Sequence, residues 1–189
     1  MAIVAYPLNN INYSAEDAML ISLPVSSGVY GEDGNFNITY NGDMTVTISD
    51  GLGFIRYAKT KGFTFYMDVA ETLTFDRADT VLSRIDRVVL QWDEVKNSVE
   101  LKIKKGVLSS TPSAPERVET EAVYELVLYD VKISPNLESI SAENVTDQRL
   151  NEELCGIMAN TITKIDPNWI KLMINEVFDR FTNVAEEGM

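Results

Sequence analysis

Between residues 85 and 105 apolar and polar side chains alternate with a period of two, and no other stretch of the chain limits its fold as tightly. Val88, Leu90 and Trp92 fall on one face of a first strand. Val99, Leu101 and Ile103 alternate with Glu100, Lys102 and Lys104 on a second. Successive side chains of a strand point to opposite faces, so this pattern predicts a hairpin with one face buried and the other wet, turning at residues 94–97.

Shorter β-branched and aromatic runs precede it. Residues 36–40 and 44–48 flank Asn41-Gly42-Asp43, a hairpin signal with room for a bulge. Further strands are expected at 51–55, 63–67 and 71–75, with Gly51 and Gly53 marking a tight bend or a close backbone approach. Residues 123–133 are apolar on both faces, as in the middle of a sheet. The expected fold class is mainly β: an antiparallel, sandwich-like core, with a division into two lobes near residue 60 left open.

Helical signals are confined to the flanks. Residues 1–13 read as an extended arm, and Ser14-Ala15-Glu16-Asp17 as the capping signal of a short N-terminal helix running to about Leu20. Ser141-Ala142-Glu143-Asn144 suggests one further turn. Near the C-terminus Asp166 is an N-cap, Pro167 occupies the first turn, and a helix is expected over 168–183. There Ile170, Ile174, Val177, Phe181 and Val184 follow the d-a-d-a-d spacing of a coiled-coil seam. Self-association is the favoured reading of this seam; the alternative is an amphipathic helix packed back on its own sheet. The domains expected are thus a β-rich body, 1–157, and a helical oligomerisation segment, 158–189.

The chain has 189 residues, 45% apolar and 24% charged, with a net charge of −13. So acidic a body repels phosphate backbones and anionic membranes, which disfavours both as partners. No apolar run approaches the roughly 20 residues of a membrane span, and the first residues lack the basic and apolar regions of a secretory signal. Synthesis in a bacterial cytoplasm is expected.

The chain has no histidine, which removes Ser-His-Asp and Cys-His catalysis and histidine metal sites together. Cys155 stands alone, so no intrachain disulfide forms, and it reads as a small packed residue. Phosphate-binding glycine loops and nucleophile elbows are absent, and Asp33-Gly34-Asn35 lacks the spacing of a calcium loop. No enzyme activity, cofactor or metal is expected. Of the clustered aromatics Tyr57, Phe63, Phe65 and Tyr66, the phenylalanines read as core; an exposed platform for a host-surface glycan is the alternative. Arg84, Asp86 and Arg87 open the main hairpin, with Asp86 at the end of an apolar face, where a carboxylate needs a cationic partner. Asp147 and Arg149 offer a second such combination. Both read as structural ion pairs.

Several stretches, taken in order, carry a resemblance: Ser27-Gly28-Val29-Tyr30, residues 42–48, Gly51-Leu52-Gly53-Phe54-Ile55, residues 83–90, Lys104-Lys105-Gly106, the 112–115 loop, Tyr124-Glu125-Leu126, Val145-Thr146-Asp147-Gln148-Arg149 and Leu154-Cys155-Gly156. Across about residues 14–157 the chain resembles phage and prophage tail proteins of Gram-positive bacteria. The resemblance implies a baseplate or tail-fibre attachment module in the virion tail. Such a module is multimeric, commonly trimeric, and contacts other tail proteins. It brings no catalytic residues with it. No large distal domain follows within the sequence, so a connector, a fibre base or a fragment of a longer fibre is expected.

Overall fold

The computed structural model describes Asn12, residues 14–19 and residues 24–159. The compact unit that holds them runs to Ala159. The expected C-terminal helix and its five seam residues, Ile170, Ile174, Val177, Phe181 and Val184, lie outside the described residues, as do most of the N-terminal arm and Leu20.

The one described turn of α-helix is α1, Ala15–Ala18. Ser14 caps it: its hydroxyl accepts from Asp17 N at 3.2 Å, and the Asp17 carboxylate accepts from Ser14 N at 2.9 Å. The reciprocal pair satisfies two amides that a helix start leaves open.

The described body is otherwise mainly β, and its sheets are antiparallel. In chain order the strands are β1 (Gly28–Val29), β2 (Ile38–Tyr40), β3 (Thr45–Ile48), β4 (Gly51–Ala58), β5 (Lys61–Met67), β6 (Glu71–Thr74), β7 (Arg84–Asp93), β8 (Ser98–Lys104), β9 (Val123–Ile133) and β10 (Val145–Asp147). They form three sheets of order β1-β4-β5, β2-β3-β6 and β10-β9-β7-β8. Residue 60 falls in the turn between β4 and β5, which pair along most of their length, so a division into lobes there would split a hairpin.

The alternation of residues 85–105 becomes the register of β7 on β8. Val88 faces Ile103, Leu90 faces Leu101 and Trp92 faces Val99, while Gln91 meets Glu100 on the other side. One expectation needs correcting. The second face of β7 is not wet: Val89 is fully buried and Arg87 nearly so. Residues 115–118 lie over it, with Arg87 Nη1 donating to Pro115 O at 2.8 Å and Val118 N donating to the Glu125 carboxylate at 2.8 Å. Alternation in one hairpin reports the polarity of each face, but not whether water or another segment covers it.

The three sheets contribute to one apolar core. Trp92 of β7 stacks on Tyr57 of β4, ring centroids 4.1 Å apart, with Phe63 of β5 at 5.8 Å. Val46, Ile48 and Leu73 enter from the β2-β3-β6 sheet. Gly51 and Gly53 make room for rings, since a Cβ would come within 2.7 Å of Phe36 and 2.4 Å of Phe65. Phe36 itself is fully buried at φ 53°, a left-handed backbone that bulky residues rarely adopt. Its amide donates to Asp50 O at 3.1 Å and its carbonyl accepts from the Tyr129 hydroxyl at 2.8 Å, which together hold it there.

Candidate functional site

Polar chemistry in the described body falls into charged clusters and several open depressions, one of them flanked by exposed tyrosines. The first cluster begins at Arg84. Its Nε donates to both Asp86 oxygens at 3.0 Å, and its Nη1 and Nη2 donate to the carbonyls of Arg77 and Asp76. Asp86 Oδ1 also accepts from Gly106 N at 2.8 Å. With side chains 2% and 1% exposed, the pair bonds three stretches of chain inside the protein. Arg87 does not share Asp86. It forks onto Asp130, directly opposite on β9, at 2.7 and 3.0 Å, and Gln148 Nε2 donates to the same carboxylate at 2.9 Å.

A second cluster centres on Glu125 of β9, which is fully buried. Gln91 Nε2, Lys104 Nζ and Val118 N each donate to its carboxylate at 2.8 Å. Lys102 then reaches Gln91 and Glu100, so hydrogen bonds and ion pairs run across three strands. Glu125 and Asp130 escape a reading from sequence. A carboxylate within an apolar strand signals a buried, paired charge, but only the register reveals its partner.

Asp147 and Arg149 form the third cluster. Arg149 Nη2 meets Asp147 Oδ2 at 2.6 Å, its Nη1 donates to Asn35 O and Asn37 Oδ1 at 2.8 Å, and its guanidinium lies 5.2 Å over the Tyr129 ring. Burial acts to raise the Asp147 pKa, but the hydrogen bonds from Arg149 outweigh it, and the carboxyl titrates below its usual range. Arg149 is shifted upward by the same contact. Burial drives the Tyr129 hydroxyl well above its ordinary range.

These clusters join stretches far apart in sequence. Another junction involves Gly28 and Gly156. Val29 N donates to Gly156 O at 3.0 Å, Met158 N to Val29 O at 2.8 Å, and Ser26 N to Ala159 O at 2.9 Å. Gly28, at φ 148°, lies so close that a Cβ would sit 2.3 Å from the Gly156 carbonyl oxygen. Cys155 is buried beside this junction, and desolvation pushes its thiol up to about 12. The thiolate is the reactive form, so Cys155 is unsuited to nucleophilic work near neutral pH.

The tyrosine-flanked depression lies where the 30–35 loop approaches β4 and β5. It is open, with a volume of about 400 Å³, and its lining includes Tyr30, Tyr66, Leu52, Glu32, Asp33 and Asp50. Tyr30 is 44% exposed and Tyr66 64%. Phe63 and Phe65 turn into the core and Tyr57 stacks on Trp92, so Tyr66 alone of the aromatic cluster faces solvent prominently. Asn35 fixes the wall: its amide nitrogen donates to Tyr30 O and Leu52 O, and its Oδ1 accepts from Leu52 N. Tyr30 has no counterpart in the expected platform, because its sequence neighbourhood gives no sign that it lines the same depression as Tyr66.

Among the described residues no group of three or more Cys, Asp or Glu side chains is arranged to hold a metal, and no helix is long and apolar enough to cross a membrane. Comparison with family models, curated proteins and solved structures gave no match.

Proposed function

We propose that this chain is a non-enzymatic structural component of a phage or prophage tail tip or baseplate, where it works as a homo-oligomer through protein–protein contacts. The observation that carries this reading is the use made of its buried charge. Arg84, Asp86, Arg87 and Glu125 are the buried charged residues of the described body, and each is bonded into the joining of strands and loops. The stretches behind the family resemblance supply these joints. Residues 83–87 meet Gly106, Arg87 meets Pro115, Tyr124-Glu125-Leu126 meets Lys104, and Gly28 meets Gly156. A segment order kept together by packing supports a scaffold role more than a chemical one. In this reading the β1-β4-β5 and β10-β9-β7-β8 sheets make a sandwich-like core, and the helix of the 158–189 segment contributes the seam.

An antibody raised against the chain is expected to label tail tips in electron micrographs of particles from the source strain. Light scattering of the full chain at tens of micromolar is expected to give a multimer mass. Unlabelled particles that contain the chain would remove the tail assignment, and a monomer mass would remove the homo-oligomer.

A second reading, a carbohydrate-binding host-adhesion module, is favoured by the depression between Tyr30 and Tyr66. Exposed tyrosines stack on the apolar faces of sugars, and adjacent carboxylates accept from hydroxyls. A glycan array without hits on the full chain counts against it.

A further inference from the structure

β8 ends the sheet β10-β9-β7-β8, and β7 is the one described strand hydrogen-bonded to it. The direction of its backbone groups follows from β7. Ser83 O accepts from Ser109 N at 2.9 Å on the β8 side of β7, and Glu94 N donates to Ala122 O at 2.9 Å on the β9 side. Backbone groups alternate in direction along a strand, so Arg87, Val89, Gln91 and Asp93 bond across to Lys104, Lys102, Glu100 and Ser98. The N–H and C=O groups of Val99, Leu101 and Ile103 therefore point away from β7. Among the described residues they have no hydrogen-bond partner. An open depression of about 480 Å³ adjoins the strand at Val99, Glu100 and Leu101, with Tyr66, Met67, Asp68 and Glu71 on its other side.

Charge identifies what fits this edge. Val99, Leu101 and Ile103 turn their side chains to the core, and the opposite face of β8 carries Glu100 and Lys102, 39% and 33% exposed. Lysines on an edge strand ordinarily guard it against pairing. Here the order of the charges makes the strand complementary to itself. Laid antiparallel on a second β8 with Leu101 opposite Leu101, it sets Glu100 opposite Lys102 twice and Val99 opposite Ile103 twice. The outward backbone groups meet in the same register and close up to about six hydrogen bonds. Centring the pairing one residue to either side sets Glu100 against Glu100 or Lys102 against Lys102, and directly opposed like charges destabilise a sheet. Within one copy Glu100 holds Lys102 at 2.8 Å and Lys96 at 3.1 Å. An ionised carboxylate accepts about four hydrogen bonds, which leaves capacity for a lysine of the second copy.

We infer that the free edge of β8 pairs antiparallel with β8 of a second copy, centred on Leu101, and joins two four-stranded sheets into one. The inference rests on the homo-oligomer reading above and locates a contact within the β body. The pairing is two-fold, so by itself it makes dimers.

The test follows the full chain by sedimentation velocity. Glu100→Lys sets lysine against lysine across the pairing, and Lys102→Glu sets carboxylate against carboxylate. Each alone is expected to weaken dimerisation about tenfold. Glu94→Lys, the same charge change in the β7–β8 turn, is expected to leave it within about twofold, because residue 94 lies outside the paired strands. An equimolar mixture of the Glu100→Lys and Lys102→Glu chains restores opposite charges at both positions and is expected to recover the parent's affinity as a heterodimer. Loss of an ion pair within one copy cannot produce that recovery. Both substituted side chains are at least a third exposed, so circular dichroism of each variant should match the parent. No recovery on mixing the folded variants, or parent-like association of either alone, overturns the edge pairing while a multimeric parent leaves the homo-oligomer standing. A purely trimeric parent does the same. A parent that stays monomeric at hundreds of micromolar discards both.

Discussion

Arg84 and Asp86 show what a buried ion pair does when each partner has further bonds. The arginine donates to two backbone carbonyls as well as the carboxylate, and the carboxylate accepts a backbone amide as well as the arginine. Arg84→Ala leaves a buried, uncompensated Asp86, and breaking such a pair costs about 3–5 kcal/mol. Urea unfolding of the full chain is expected to show a loss of that size; one below about 1 kcal/mol would mean water enters and replaces the guanidinium. At Asp147 the folded pKa lies below the unfolded one, so its stabilisation is complete above the unfolded value, about 4, and fades as pH falls through the folded value. The stability gap between the parent and Asp147→Asn is therefore expected at pH 7 and should close on acidification below about pH 4. A gap that widens in acid contradicts the assigned direction. Sequence marks Arg84, Asp86, Arg87, Asp147 and Arg149 because charges at the end of an apolar strand or beside one another need partners. It does not mark Asp130 as the partner of Arg87, since that contact depends on how β9 registers with β7.

Strand positions follow closely from alternation, and their ends follow from tertiary detail. β2 begins at Ile38 rather than Phe36, whose backbone at φ 53° cannot continue a strand. β4 and β5 run to Ala58 and Lys61, past the apolar runs that suggest them, because the hairpin keeps pairing into its turn through an irregularity at Arg56–Ala58. The junction of β1 with residues 156–159 is invisible in sequence. Two isolated glycines far apart give no hint that they touch. Gly28→Ala is expected to destabilise by on the order of 1–3 kcal/mol, the usual cost of inserting a methyl group where no space exists. Hydrogen exchange should localise the damage, speeding the Val29 and Met158 amides at least tenfold while amides in the β7–β9 pairing stay protected. Unchanged protection at Val29 and Met158 would show that the backbones separate without cost.

At the scale of the whole body, three antiparallel sheets share one core and the charged clusters hold the loops between them. The mainly β character is readable from period-two alternation alone. The joining of distant stretches is not, because each joint combines residues whose roles appear only once they meet. The meeting of residues 26–29 with 156–159 also has a mechanical meaning. The backbones of residues 26–29 and 156–159 bond each other there. Tension applied between residue 24 and residue 159 is carried first by this short clasp, along a path that bypasses the sheets. Under strain along its chain the body then behaves as a bead fastened to a cord, and its folded interior is spared until the clasp gives way.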